Sequence, residues 1–513
     1  MPFLGPILTR IIELRQNLSR VKKLKTSYKV QRKTLKRILY KAEDTLFGKT
    51  FGFSSIYNSD EFLKLFQAKV PIYNYDLIFK EWWYKTLEGE RDVCWPGKIK
   101  YFALSSGTSE SSSKHIPVTK DMLRAIKRTS VQQLLSMAVF DIPINALEKN
   151  YLMIGGSTDL SSKGSYSEGD LSGITVKNIP FWFQQFYKPG KEIGMERDWE
   201  AKIQKIVDSA KDWDIGAIAG VPAWVQIIFD KVIKEYKLKS IHDIWPNLGL
   251  FVHGGVSIEP YRKSFEKYFS KKMVYIETYL ASEGYIAYQS RPESSSMQLA
   301  LRYIYYEFIP FNESNFDTEG NLIANPKVLN ISEIEENIDY ALLISTPAGA
   351  WRYLIGDTIR FTSKQRSEII ITGRTKHFLS LCGEHLSIEN MNNAISHVAN
   401  ELGIDVKEYT VAGMKYNEVF AHKWYIGTSS IVNAEEFKEQ LDKELCLLND
   451  DYAVERKAAL KEILIEIIPI EIFYEFMKYK GKQGGQNKFP RVMKSENFEE
   501  WESFVSSNLG ITN

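Results

Sequence analysis

Residues 198–252, DWEAKIQKIVDSAKDWDIGAIAGVPAWVQIIFDKVIKEYKLKSIHDIWPNLGLFV, decide the fold class. They read as a helix over 198–211, a short apolar strand over 215–219, a second helix over 223–235 and a second strand over 248–252. Such alternation builds an α/β sheet. Outward from this stretch, further strands are predicted at 101–104, 151–154, 273–277, 303–309, 341–345 and 368–372, with a helix over 120–137. After Arg374 the pattern restarts with a helix over 388–401, strands at 409–413 and 423–426, a polar helix from Ala434, a strand over 463–468 and another helix. We expect an α/β protein with a large bilobal N-terminal domain over 1–373, its mixed sheets flanked by helices, and a small mobile α+β domain over 374–513.

Composition sets the outer limits. The chain has 513 residues, too many for one ordinary core, and its 44% hydrophobic and 13% aromatic content supplies ample material to bury. No run of about eighteen apolar residues is present, which argues against a membrane span. The net charge of +2 points to no nucleic-acid partner. Cys94, Cys382 and Cys446 are the only cysteines, widely separated and odd in number. They suit a reducing cytoplasm and neither a disulfide framework nor a zinc site. Residues 1–50 stand apart: apolar residues from Phe3 to Leu14 recur near helical spacing, and 15–37 are basic. This predicts a helical layer with a solvated basic face, the alternative being an adaptor for a membrane surface or RNA. Arg10 and Arg15 interrupt the apolar stretch, so it does not read as a signal peptide.

The first chemical motif follows the strand at 101–104. Residues 105–117, SSGTSESSSKHIP, combine hydroxyls, a glycine and a lysine. Backbone N–H groups and hydroxyls can wrap a polyphosphate while Lys114 supplies countercharge. The spacing is not that of a Walker P-loop, and a Ser-rich surface loop has the same composition. Further along come HGG at 253–255, YLASEG at 279–284, RYLIGD at 352–357, GRTKHFLSLCGEHL at 373–386 and GGQNKFPR at 484–491. Taken singly, Asp357 reads as a turn residue, Glu283 as a helix-start charge and Tyr279 as core.

In order and spacing these segments resemble the adenylate-forming superfamily of acyl-CoA synthetases, peptide synthetase adenylation domains and luciferases. Within it they are most similar to the auxin-responsive Gretchen Hagen family of acyl acid amido synthetases. The resemblance implies ATP and Mg²⁺ as cofactors, a small-molecule carboxylic acid and an amino acid as substrates, and no macromolecular partner. A monomer is favoured, although the sequence does not fix the oligomeric state. It implies that Ser105, Ser106, Gly107, Thr108 and Ser109 hold the β- and γ-phosphates, and that Gly254, Gly255 and Val256 lie against the adenine. Tyr279 would stack on the base, and Ser282 belongs to the same nucleotide segment. Glu283 would be both the metal ligand and a catalytic residue. Asp357 would accept from the ribose hydroxyls, with Arg374 beside it.

The resemblance further implies that Lys488 neutralises charge as the carboxylate attacks the α-phosphorus, with Lys478, Lys480 and Lys482 close enough to compete. Lys376 would be the hinge of the small domain. Arg124, on the helix after Pro117, would pair with the acid, or else belong to a solvated basic face with Lys120 and Lys127. The chain departs from the family's pattern at Glu110 and Ser111 after the hydroxyl loop, and at Leu354, where plant-like relatives carry a second arginine. The implied reaction forms an acyl adenylate and transfers the acyl group to an amine. An acyl-CoA ligase or a silent ATP-binding module would share the nucleotide residues.

Overall fold

The computed structural model describes residues 26–105, 114–179, 181–255, 258, 262, 265–317, 320–375, 378–384, 386–416, 419–480, 489–493 and 495–509. It divides into two compact units that part after Thr375. In the first unit, helix α1 (Ser27–Ala42) buries Leu35, Ile38, Leu39 and Ala42, the i, i+3, i+4, i+7 stripe of an amphipathic helix. Its Gln31 amide donates to Leu301 O and Ile304 O and accepts from Tyr306 N, so a polar residue is fully satisfied inside the interface. The expected helical layer is present from Ser27 onward, and residues 1–25 lie outside the described residues.

Strands β1 (Tyr101–Ser105) and β2 (Lys114–Val118) precede helix α2 (Lys120–Ser136). Then come β3 (Asn150–Met153), β4 (Ser161–Lys163), β5 (Tyr166–Gly169), β6 (Tyr187–Lys188), α3 (Trp199–Ser209), β7 (Ile215–Gly220), α4 (Pro222–Tyr236) and β8 (Leu250–Gly254). A run of strands closes the unit: β9 (Val274–Ala281), β10 (Gly284–Gln289), β11 (Met297–Leu299), β12 (Tyr305–Pro310), β13 (Asp339–Ser345), β14 (Tyr353–Ser363) and β15 (Glu368–Arg374). Four strands form one sheet in the order β2-β1-β5-β4, and eleven form the other in the order β12-β13-β14-β15-β11-β10-β9-β8-β7-β3-β6.

The large sheet changes character at β9. From β6 through β3, β7 and β8 to β9 all neighbours are parallel, as α3 and α4 crossovers require. From β9 to β12 all are antiparallel. β13 is buried along nearly its whole length because both its faces are covered. The predicted strands at 215–219, 341–345 and 368–372 and the helices at 120–137, 198–211 and 223–235 appear with ends displaced by a residue or two. β10 and β14 were not predicted. β14 carries Gly356 at φ +92° and two register shifts, so its sequence reads as a turn although its backbone continues the ladder.

The second unit contains β16 (Phe378–Leu379), β17 (Leu386–Ser387), α5 (Ile388–Glu401), β18 (Val406–Tyr416), β19 (Val419–Thr428), α6 (Ala434–Leu448), α7 (Asp450–Ala458), β20 (Leu460–Ile468), α8 (Ile470–Tyr479) and α9 (Ser495–Leu509). β18, β19 and β20 form a three-stranded mixed sheet. β19 sends Tyr425 toward an aromatic cluster of Phe473, Phe476, Phe489 and fully buried Trp501. His422 points to the opposite side, where its Nε2 meets Glu384 at 2.7 Å.

Candidate active site

Strand ends in the first unit place the predicted residues. β8 ends at Gly254, which pairs with Thr278 of β9, and a Cβ on Gly254 would lie 2.4 Å from the Thr278 carbonyl oxygen. Only glycine permits that approach. Gly255 follows at φ +84°. β9 continues to Ala281, opposite Gly284, so Ser282 and Glu283 form the two-residue turn of a β-hairpin. Glu283 is therefore a turn carboxylate and does not start a helix.

On the other half of the sheet, β14 and β15 set Asp357 opposite Arg374. β11 has only three residues and meets β15 at Met297 and Gln298 alone. At the site itself, side chains link β9 to β14 and β15. The Tyr279 hydroxyl donates to Asp357 Oδ2, and Arg374 Nε lies 3.1 Å from Asp357 Oδ1. Arg374 also donates to Ile355 O at 3.3 Å. Asp357 is thus a rigidly held acceptor in mid-strand.

Electrostatics bind the cluster further. Burial raises the Glu283 carboxyl above its usual range, and Asp357 adds to this while Lys114 and Arg374 pull it back. Burial works against the Arg374 charge, yet Asp357, Tyr279 and Glu283 together raise its pKa. Burial and then Asp357 hold the Tyr279 phenol protonated, so it acts as a donor. Lys114, at the start of β2, feels the Glu283 charge and sits 5.5 Å over the Tyr75 ring. A buried carboxylate beside the fixed acceptor Asp357 and two cations suits a polyphosphate and a ribose; Glu283 would be the carboxylate ligand were Mg²⁺ bound.

Lys114, Gly254, Gly255, Tyr279, Ser282, Glu283, Asp357 and Arg374 all lie on this strand-end array. Ser105 closes β1. Ser106, Gly107, Thr108, Ser109, Val256, Lys376 and Lys488 lie outside the described residues. Arg124 is not brought in: it is exposed and donates to Asp121 at 3.0 Å, on the face of α2 opposite Met122, Ala125 and Ile126. Lys480 is engaged with Glu500 at 2.7 Å.

Tyr353 was missed. Its phenol lies in the field of the Glu283 carboxylate, and it shares one face of β14 with Ile355 and Asp357. Period-2 alternation through RYLIGD could have found it. The same alternation puts Leu354 on the far face, packed against the Ile309, Phe316, Ala341 and Leu343 cluster. Arg352 is a core residue at φ +43°, paired with Glu307 at 3.1 Å.

Beside Glu283 a narrow crevice, with room for about one water molecule, opens between α2 and β10. Met122, Ile126, Thr129, Tyr285, Ile304 and Thr346 are among its lining residues. The start of α2 is fixed there, because Thr119 caps Met122 N and donates to Pro347 O at 2.5 Å.

The comparisons with known proteins cover nearly the whole chain. A domain model described as the GH3 family N-terminal domain matches residues 18–203 and 158–274. The GH3 family central domain matches 297–372, and the GH3 family C-terminal domain 389–497. An indole-3-acetic acid-amido synthetase, GH3.4 of Arabidopsis thaliana, is 23% identical over 450 residues, 74% of this chain and 73% of its own. Among solved structures, the GH3.15 acyl acid amido synthetase superposes with a TM-score of 0.58 at 16% identity, covering 97% of this chain and 95% of its own. A 2-hydroxyisobutyryl-CoA ligase reaches the same TM-score at 13% identity, covering 93% and 92%. At these identities the two structural matches establish a common fold.

Proposed function

The chain belongs to the GH3 family, and from that premise we propose that it is an ATP-dependent acyl acid amido synthetase. The observation that carries the proposal is the union of Tyr279, Glu283, Asp357 and Arg374, drawn from three strands and a hairpin turn, into one charge-coupled group. Asp357, held by Tyr279 and Arg374, accepts the ribose hydroxyls. The backbone of Gly254 and Gly255 lies against the base, and Lys114 offsets phosphate charge. Glu283 would hold Mg²⁺, which would supply positive charge against the phosphates.

The walls of the crevice beside Glu283 are largely apolar, as Met122, Ala125, Ile126, Ile304 and Pro347 make them, so we assign the enzyme an acid with an apolar body. The acid's carboxylate oxygen forms a bond to the α-phosphorus as the α–β phosphoanhydride bond breaks and pyrophosphate leaves. An amino acid nitrogen then attacks the acyl carbonyl carbon, loses a proton and expels AMP. Lys488 is our candidate for stabilising the first step, and Lys376 for the hinge. We place the reaction in the cytoplasm, in keeping with three free cysteines of which Cys94 and Cys382 are buried. Among the described residues no helix is long and apolar enough to cross a membrane.

The test measures pyrophosphate release across a panel of carboxylic acids, crossed with amino acids and with coenzyme A. Release that depends on one acid class, with amide appearing only when an amino acid is added, is expected. Thioester formation with coenzyme A in preference to amide would reassign the acceptor. Silence across the panel with ATP bound would make the chain a nucleotide-binding module.

A further inference from the structure

One tyrosine outside the charge-coupled group touches both Lys114 and the backbone that carries it. Residues 73–75 run beside the start of β14: Tyr73 N donates to Arg352 O at 3.0 Å and Leu354 N donates to Tyr73 O at 2.8 Å, a parallel bridge opposite Tyr353. Asn74 then caps a single turn of helix, Tyr75–Ile78, by accepting from Leu77 N. These two fastenings aim Tyr75. Its hydroxyl accepts from His115 N at 2.9 Å, and Lys114 Nζ lies 5.5 Å over its ring. The ring also stacks on Phe79 at 5.4 Å and meets the edge of Trp83 at 6.2 Å, and Trp83 in turn stacks on Tyr353 at 5.6 Å.

These contacts do separate jobs. β2 is the edge strand of its sheet, so the N–H groups on its open side need partners from elsewhere. The Tyr75 hydroxyl supplies one at the residue next to Lys114. Burial pushes its phenol up to about 12, so the group that meets His115 N is neutral. The His115 ring is held as well, its Nε2 lying 3.1 Å from Glu168. Successive side chains of a strand face opposite ways, so pinning His115 by backbone and by ring fixes the direction in which Lys114 projects. A lysine is nevertheless a compact charge on a flexible stem. The negative face of the Tyr75 ring narrows its range, and the ammonium so held is felt by the Glu283 carboxylate.

We propose that Tyr75 is a positioning residue for adenylation: its hydroxyl anchors the strand that follows the hydroxyl-rich segment, and its ring seats Lys114 to meet the β- and γ-phosphates of ATP. The inference rests on the adenylation reading and adds to it a residue that acts through another. A charge placed before the nucleotide arrives loses less freedom on binding it, so the benefit falls on the terminal phosphates and not on the base or ribose.

The experiment titrates the full-length protein calorimetrically with ATP and with AMP at fixed Mg²⁺, with no acid present and hence no turnover. AMP keeps the base, the ribose and the α-phosphate but lacks the groups that Lys114 would meet. Tyr75→Phe keeps the ring and drops the acceptor for His115 N, and should weaken ATP about 2- to 10-fold. Tyr75→Leu removes the ring as well, and should weaken ATP about 10- to 100-fold. AMP affinity should be unchanged in both. On a Lys114→Met background the ring has no cation to seat, so the two substitutions should have equal effects. Parallel loss of ATP and AMP, the mark of a packing residue, overturns the proposal. So does undiminished ATP affinity in Tyr75→Leu, or a difference between the two variants that survives Lys114→Met. Should Tyr75→Leu fail to fold, Tyr75→Phe decides alone: a lowered ATP-to-AMP affinity ratio supports the proposal and an unchanged ratio refutes it. A wild type that binds neither nucleotide refutes the adenylation reading and this inference with it, whereas a wild type that binds both, with variants that depart from these expectations, refutes the inference alone.

Discussion

Replacing Glu283 by glutamine should raise stability and abolish most of the adenylation activity, two effects of opposite sign from one atom change. The substitution keeps side-chain size and polarity. It removes a charge that burial holds in an unfavourable place, as the raised pKa records. The effective cost of a buried ion is several kcal/mol, partly offset here by attraction to Lys114 and Arg374, so a net gain of about 1–2 kcal/mol at pH 8 is reasonable. In a unit of this size that amounts to about 1–3 °C in Tm. The sign with pH follows from linkage. A carboxyl whose folded pKa is raised holds its proton longer when folded, so the wild type loses stability as pH climbs from the usual carboxylate range through the folded value. The gain in the variant should therefore fade below that window and reach a plateau above it. Activity should fall about 10²–10³-fold through loss of a preorganised charge at the phosphates. Differential scanning calorimetry from pH 4.5 to 8.5 and a pyrophosphate assay measure both. A variant that melts several degrees lower at pH 8, or retains activity within threefold, would show that the carboxylate is structural and would refute the reasoning.

Other substitutions address separate links of the argument. Asp357→Asn leaves Arg374 and the Tyr279 hydroxyl facing a neutral amide, and should raise the KM for ATP about 10- to 100-fold with a smaller change for the acid; equal changes for both substrates would count against a ribose contact. Gly254→Ala forces a Cβ to 2.4 Å from the Thr278 carbonyl, and should cost about 1–3 kcal/mol together with nucleotide affinity; chemical denaturation and nucleotide titration check it, and unaltered affinity would detach this strand end from the base. In the second unit, burial opposes the Glu384 charge, but His422 and backbone N–H groups, including Cys382 N, outweigh it and hold the carboxyl below its usual range. Its stabilisation should be complete above the ordinary carboxylate range and vanish as pH falls through the depressed folded value. Glu384→Gln should lower stability by about 3–5 kcal/mol at neutral pH, and a far smaller loss by urea titration would contradict the buried-charge account.

The sequence made the parallel half of the large sheet readable because each strand there is a short apolar run set off by a helix. The antiparallel half was harder. β10 follows a two-residue turn occupied by Ser282 and Glu283, which carries none of the glycine or asparagine usual in such turns. β14 is interrupted by Gly356 and Asp357, residues that ordinarily mark a loop. For the site, motif order brought Tyr279, Glu283, Asp357 and Arg374 into one reading, since each has a distinct chemical type. Tyr353 was invisible for the opposite reason: a tyrosine in a strand is commonplace, and only the fold reveals that it lies in the field of the Glu283 carboxylate.

The place of β15 in the large sheet has a consequence for biosynthesis. It is the last strand of the first unit in chain order, yet it lies inside the sheet between β14 and β11, and it ends with Arg374, the partner of Asp357. A nascent chain that has left the ribosome only as far as Ser363 holds two incomplete half-sheets with open edges and no partner for Asp357 on β15. Closure of the large sheet and arrival of Arg374 beside Asp357 are the same translational event, so any shorter polypeptide lacks both.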